Sequence, residues 1–172
     1  WMGTGEGISV LMKDGSIRNY STKDSLGDNL VLSLKEDSKG NIWAATSHGL
    51  SVWNGKKWQN ILLPASIAAN DIVALVFEQN DNYVWLGTNN GIFRLEVGDF
   101  LNKGKYALAH FTTADGLPSL ECNGNAAYRD KKGNIWLGTI AGAVCYSPFN
   151  QQIEAQAPPL VYITGVKLFF KD

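Results

Sequence analysis

Four copies of one short phrase, a tryptophan followed by a small residue and a threonine and closed by a glycine, constrain this chain more than any other feature. They are Trp1-Met2-Gly3-Thr4, Trp43-Ala44-Ala45-Thr46, Trp85-Leu86-Gly87-Thr88 and Trp136-Leu137-Gly138-Thr139. Successive tryptophans lie 42, 42 and 51 residues apart, and each is followed six positions later by Gly7, Gly49, Gly91 or Gly142. A fixed internal register of this kind marks supersecondary units that bury their faces on one another. A period of about 40–45 residues is the length of a four-stranded propeller blade.

Local patterning within one period agrees. In the second unit an apolar run, Leu30 to Leu34, precedes Asp37-Ser38-Lys39-Gly40-Asn41, which has turn chemistry. Ile42 to Thr46, a Ser47-His48-Gly49 turn, Leu50 to Trp53, an Asn54-Gly55 turn and Lys57 to Ile61 complete an antiparallel meander. The third unit repeats it over Asp71 to Phe77, Tyr83 to Thr88, Gly91 to Val97 and Tyr106 to Thr112, with a longer connection at 98–105. Ile72 to Phe77 is apolar on both faces, as a sheet sandwiched between two others requires.

The expected fold is therefore all-β, a β-propeller fragment of about three and a half four-stranded antiparallel blades. The units are a partial blade at 1–22, blades at 27–62 and 69–114 and a last blade at 121–150, followed by a short extended segment at 151–172. The first unit begins at its second strand and the last shows only Asn125 to Arg129, Asn134 to Thr139 and Ala143 to Tyr146. The expectation is the end of a larger propeller, whose two apolar faces meet the remaining blades or a second copy. Trp1, Trp43, Trp85 and Trp136 are expected between blades, with a small residue two positions later leaving room for the neighbouring sheet. The four glycines are expected at positive φ.

Charge excludes one class of partner. The 15 basic and 16 acidic residues are dispersed, and Lys56-Lys57 and Lys131-Lys132 are the only basic pairs, so no stripe exists to neutralise a nucleic acid. No apolar stretch approaches the roughly 18 residues of a membrane helix, and no signal peptide is visible in a chain that opens inside a repeat at Trp1.

Asp37-Ser38-Lys39-Gly40-Asn41-Ile42-Trp43 and Asp130-Lys131-Lys132-Gly133-Asn134-Ile135-Trp136-Leu137-Gly138-Thr139 resemble the two-component regulator propeller repeat. Phe111-Thr112-Thr113-Ala114-Asp115-Gly116-Leu117-Pro118 resembles that family's link between blades. Tyr146-Ser147-Pro148, Ala157-Pro158-Pro159 and Val161 to Phe169 resemble its exit into an immunoglobulin-like domain, so 151–172 reads as a linker and the first strand of that domain. The second repeat departs from the pattern at Ala44-Ala45, and the third has lost the Asp-x-x-Gly turn at Gln79 to Asn82. The resemblance implies a non-catalytic, periplasmic sensor segment of a membrane-anchored two-component receptor, responding to oligo- or polysaccharide breakdown products. Its implied partners are the remaining blades, the immunoglobulin-like domain and a small carbohydrate.

Loops between second and third strands share one rim of a propeller with the links between blades. That rim offers Glu6, Ser47, His48, Asn89 and Asn90, with Asp24, Asp28, Asn70, Asp115 and Asn123 from the links, as candidate ligand contacts. The same residue types also suit ordinary turns. Trp53 and Trp58 flank the Asn54-Gly55 hairpin as a possible sugar platform, although packing on the blade is the preferred reading.

No catalytic residue, cofactor or metal is expected. His48 and His110 fall in different units, which disfavours a shared metal site. Asp37 and Asp130 occupy the same repeated turn, which argues for structure over glycosidase chemistry. Cys122 and Cys145 fall on the first and third strands of one blade, about 10 Å apart by strand spacing, and read as buried thiols. A propeller lyase or hydrolase and a pure interaction scaffold remain as alternative functions.

Overall fold

The computed structural model describes residues 1–61, 71–98 and 107–148. These form four antiparallel sheets in chain order, with strands paired as simple meanders. The first holds β1 (Met2–Thr4), β2 (Gly7–Leu11) and β3 (Ile17–Tyr20). The second holds β4 (Val31–Glu36), β5 (Ile42–Thr46), β6 (Gly49–Trp53) and β7 (Trp58–Ile61), and the third holds β8 (Ile72–Phe77), β9 (Tyr83–Thr88), β10 (Gly91–Glu96) and β11 (Leu108–Phe111). The last consists of β12 (Cys122–Arg129), β13 (Ile135–Thr139) and β14 (Gly142–Tyr146). The fold is a run of propeller blades, all-β as the repeat period predicts, and among the described residues the second and third blades have four strands each. The segment 151–172 lies outside the described residues.

The cores lie between sheets, which explains strands that are apolar on both faces. One cluster joins blades one and two through Ile8, Val10, Tyr20, Leu26, Val31 and Trp58. A second joins blades two and three through Trp43, Val52, Leu75, Phe77 and Leu86, and a third joins blades three and four through Val76, Trp85, Cys122 and Leu137. β5 is buried at every position.

The repeated tryptophan supplies the aromatic part of each junction. Trp43 is fully buried edge-on to Phe77, with ring centroids 5.4 Å apart, and Trp85 meets Tyr146 at 4.5 Å. Trp1 stacks on Tyr20 and reaches Trp53 and Trp58 of the second blade. Trp136 is 40% exposed because no described sheet follows it. The small residue two positions on is equally explained. A Cβ on Gly3 would lie 2.8 Å from the Val31 side chain, and one on Gly87 would lie 3.2 Å from Cys122, so the first inner-strand residue of the next blade occupies that space.

The threonine closes the hairpin between second and third strands. Its hydroxyl donates to the carbonyl of the repeated glycine in all four blades: Thr4 to Gly7 and Thr46 to Gly49 at 2.9 Å, Thr88 to Gly91 and Thr139 to Gly142 at 2.8 Å. The same oxygen accepts the amides of Glu6, His48, Asn90 and Ala141. The glycines sit at φ of 118°, 111°, 100° and 138°, a region that disfavours a side chain.

One side-chain expectation is corrected, that of two buried thiols, and the preferred packing of Trp53 and Trp58 on the blade is what the structure has. Cys122 is buried and Cys145, on β14, is exposed, because no described strand or sheet covers that part of the last blade. Trp53 and Trp58 do not form an open platform: Trp58 is buried, Trp53 is half-buried, and both pack with Trp1 and Tyr20.

Candidate functional site

The turn that joins first and second strands explains the Asp-x-x-Gly-Asn-Ile-Trp phrase atom by atom. Asp37 Oδ1 accepts the amides of Lys39 and Asn41 at 3.0 and 2.9 Å, and its Oδ2 accepts Asn41 Nδ2 and Trp43 Nε1 at 2.8 and 2.9 Å. Asp130 repeats the set with Lys132, Asn134 and Trp136, at 2.8 to 3.1 Å. Gly40 and Gly133 take φ of 80° and 83°. For Asp37 burial pushes the pKa up, but the bonds from Asn41, Trp43 and the turn amides together outweigh it and hold the carboxyl below its ordinary value. For Asp130 the Trp136 and Asn134 side chains lead, and the pKa falls to about 2. Both carboxylates are spent on the turn, which leaves them unsuited to acid–base work.

Blade three reaches the same end by other residues. Glu78, buried and one residue further from its tryptophan, accepts Trp85 Nε1 at 2.9 Å and pairs with Arg94 Nε at 2.7 Å. Its longer side chain spans the longer turn. Asp81 takes the glycine position at φ 52° and its carboxylate accepts the Ser38 amide of the preceding blade.

On the opposite rim the candidate ligand contacts are dispersed among local structures. Asp24 and Asp115 close capping boxes, accepting the amides of Ser21 and Thr112 at 3.0 and 2.8 Å. These two turns, Thr22–Asp24 and Thr113–Asp115, are copies of one link, each ending in a left-handed residue, Ser25 or Gly116, and then a buried leucine, Leu26 or Leu117. Asn123 donates to the Thr139 carbonyl, the Asn90 carbonyl meets His110 Nε2, and Glu6 and Asn89 are exposed. Asn70 lies outside the described residues. Only Ser47, His48 and Asp28 come together: His48 Nδ1 is 3.1 Å from Ser47 Oγ and 2.9 Å from Asp28 Oδ2. Both partners meet one nitrogen, so the imidazole cannot relay a proton between them as a hydrolase triad does. Asp28 is held below its ordinary pKa chiefly by the Leu30 amide.

A concavity of about 500 Å³ opens at the other rim, on the side of the Asp37 and Glu78 turns. Lys35, Glu36 and Ser38 of blade two, Gln79 of blade three and Tyr128 and Arg129 of blade four line it. Its volume lies within the range of about 300–1,000 Å³ typical of ligand sites. Arg129 Nη1 donates to the carbonyls of Glu78 at 2.7 Å and Phe77 at 3.4 Å, which fixes the guanidinium against the neighbouring blade. This cavity opens on the rim opposite the candidate residues read from the sequence, on the side of the turns between first and second strands.

The fold and its turns define a class, a β-propeller segment whose blades are pinned by a carboxylate-to-indole bond. The model of the two component regulator propeller family matches residues 25–48 and 116–141, the two segments that carry the aspartate turns and the ends of the blade links. No curated protein matches the chain. Among solved structures, the chain is similar to the extracellular domain assigned to the hybrid two component system BT3049 of B. thetaiotaomicron, at 27% identity and a TM-score of 0.71. That match covers 88% of this chain and 20% of the other. A second extracellular domain, of the hybrid system BT4673 from the same organism, matches in fold at 18% identity and a TM-score of 0.57, over 86% of this chain and 26% of that one. Virginiamycin B lyase from Staphylococcus aureus shares the fold at 17% identity and a TM-score of 0.56, over 84% of this chain and 49% of that one. This chain thus spans a fifth of the length of the first of these structures. Among the described residues no helix is long and apolar enough to cross a membrane.

Proposed function

We propose that this chain is a non-catalytic segment of the periplasmic sensor region of a membrane-anchored two-component receptor, and that the receptor responds to oligo- or polysaccharide breakdown products. The observation that carries the reading is the likeness to an extracellular hybrid two component domain over 88% of the chain, joined to the repeats themselves. The chemistry of the blades is in keeping with it. The repeated carboxylates are committed to turns, and the one cluster of serine, histidine and aspartate has the wrong connectivity for nucleophilic catalysis. Neighbouring blades and an immunoglobulin-like domain are the proposed protein partners, with Trp136 and Gly138 presenting the face on which a further blade packs.

A transcriptional reporter for the receptor's output, in cells supplied with a panel of polysaccharides, tests the reading. The expected result is induction by one glycan class that is lost when this segment is deleted. Output that ignores every glycan, or that survives the deletion, overturns it.

A further inference from the structure

The second strand of blade one has an open edge where its copies have a partner. β5, β9 and β13 each pair with an innermost strand, β4, β8 or β12, whereas the same edge of β1 has no strand against it among the described residues. Exposure follows: Trp1 and Met2 are 44% and 48% exposed although blade two packs beside them, while Trp43, Ala44 and Leu86 are fully buried. Backbone direction marks the edge as well. The Ser47 and Ile140 amides, four positions after their tryptophans, bond to the Leu30 and Glu121 carbonyls on the inner side of their blades. Backbone groups alternate along a strand, so Ala45 points the same way as Ser47, and its counterpart Gly3 turns its amide and carbonyl to the open edge. A cavity of about 250 Å³ adjoins that edge, lined by Trp1 and Gly3 of blade one and Val31 to Leu34 of blade two, with Asn125 of blade four.

The three occupied edges agree on what fits. Opposite the repeated threonine stands Val31, Ile72 or Cys122, and each inner strand then breaks register once. A small residue follows beside the glycine position: Ser33 opposite Ala45, Ala74 opposite Gly87, and Ala126, whose Cβ would lie 2.9 Å from one on Gly138. Leu34, Leu75 or Ala127 comes next, opposite the residue after the tryptophan. We propose that the open edge of β1 receives an extended strand of this pattern, supplied by the remaining blades of the receptor, as the innermost strand of blade one. Strand addition of this kind draws affinity from main-chain hydrogen bonds and specificity from alternate side chains. Val31 already fills the space over Gly3, so the incoming residue beside that glycine has to be small. The proposal rests on the sensor reading above and gives one of its partners a side-chain pattern and a register.

The test adds such a strand in trans to the 172-residue chain. The probe is a fluorescein-labelled peptide copying residues 30–36, Leu-Val-Leu-Ser-Leu-Lys-Glu, with fluorescence anisotropy to read binding and hydrogen exchange to locate it. Saturable binding is expected, with exchange of the Gly3 and Gly5 amides slowed tenfold or more. A peptide carrying Ser33→Phe, or one N-methylated at that serine, is expected to bind at least tenfold more weakly. The first crowds the space over Gly3, and the second removes a main-chain donor from the ladder while keeping every side chain. A scrambled peptide or either variant binding as tightly as the original overturns the proposal. So does protection at the edge of β3 or β14 in place of β1, or no binding by the 30–36 peptide. None of these results touches the glycan response by which the sensor reading stands or falls.

Discussion

Substituting Asp37 by alanine tests whether the repeat's aspartate holds the blade together. Its carboxylate is only 7% exposed and accepts four hydrogen bonds from Lys39, Asn41 and Trp43. These do not count equally. The Lys39 and Asn41 amides sit in an exposed or half-buried turn and recover bonds to water in the variant. Trp43 is fully buried, and its indole N–H is stranded, at a cost of about 1–3 kcal/mol. Adding the charge-assisted bond from Asn41 Nδ2, worth about 1.5–3 kcal/mol at most, gives an expected loss of about 3–4 kcal/mol. With a urea slope of about 1–3 kcal/mol per molar, the unfolding midpoint should fall by at least about 1 M. A double-mutant cycle with Trp43→Phe isolates the stranded donor, because the second change removes the group the first leaves unpaired. Coupling of about 1–2 kcal/mol is expected from equilibrium urea unfolding of the four proteins. A loss below about 1 kcal/mol, or additive single changes, refutes the reasoning.

Other consequences are more local. The pKa values of Asp37 and Asp130 are depressed, the latter to about 2, so their contribution is complete above the unfolded aspartate value near 3.9 and is lost as pH falls through the folded values. Stability should therefore drop between about pH 4 and pH 2, and Asp130→Asn should flatten that part of a thermal-melt pH profile. Gly91→Ala should destabilise more than Gly49→Ala, by an excess of about 1 kcal/mol or more, measured by urea unfolding. Both glycines have positive φ, but only at Gly91 would the new Cβ collide with the Phe111 carbonyl; at Gly49 the nearest atom, the Ile61 carbonyl oxygen, is 3.7 Å away. Ser25→Gly should raise stability by up to about 1 kcal/mol, since Ser25 holds φ 71° where the second link has Gly116 at 96°.

Much of the architecture was legible because it is repeated. The tryptophan register located the second strand of every blade, and the glycine six positions later marked a turn that does adopt positive φ in all four copies. The role of Asp37 and Asp130 as structural residues was also readable from their shared position. What the register could not show was substitution by geometry. Glu78 replaces the aspartate only because an extra residue in the turn matches its extra methylene, and Asp81 replaces a glycine at the left-handed position. The likeness of the first link, Ser21 to Leu26, to the second is hidden because Ser25 stands where its copy has glycine, although the capping serine and aspartate are signals of it. The site was less legible still. On the rim opposite the cavity Asp24 and Asp115 cap short turns, whereas the cavity-lining Arg129 and Lys35 carry no motif and come to one concavity through the packing of β4, β8 and β12.

Binding without turnover is the central claim, and the fate of a bound saccharide tests it most directly. The intact protein, incubated with a saccharide it binds saturably, should return that saccharide unaltered in a mass spectrum at every time point. Accumulation of shortened, unsaturated or otherwise modified products in proportion to protein would contradict the account and assign these blades to an enzyme.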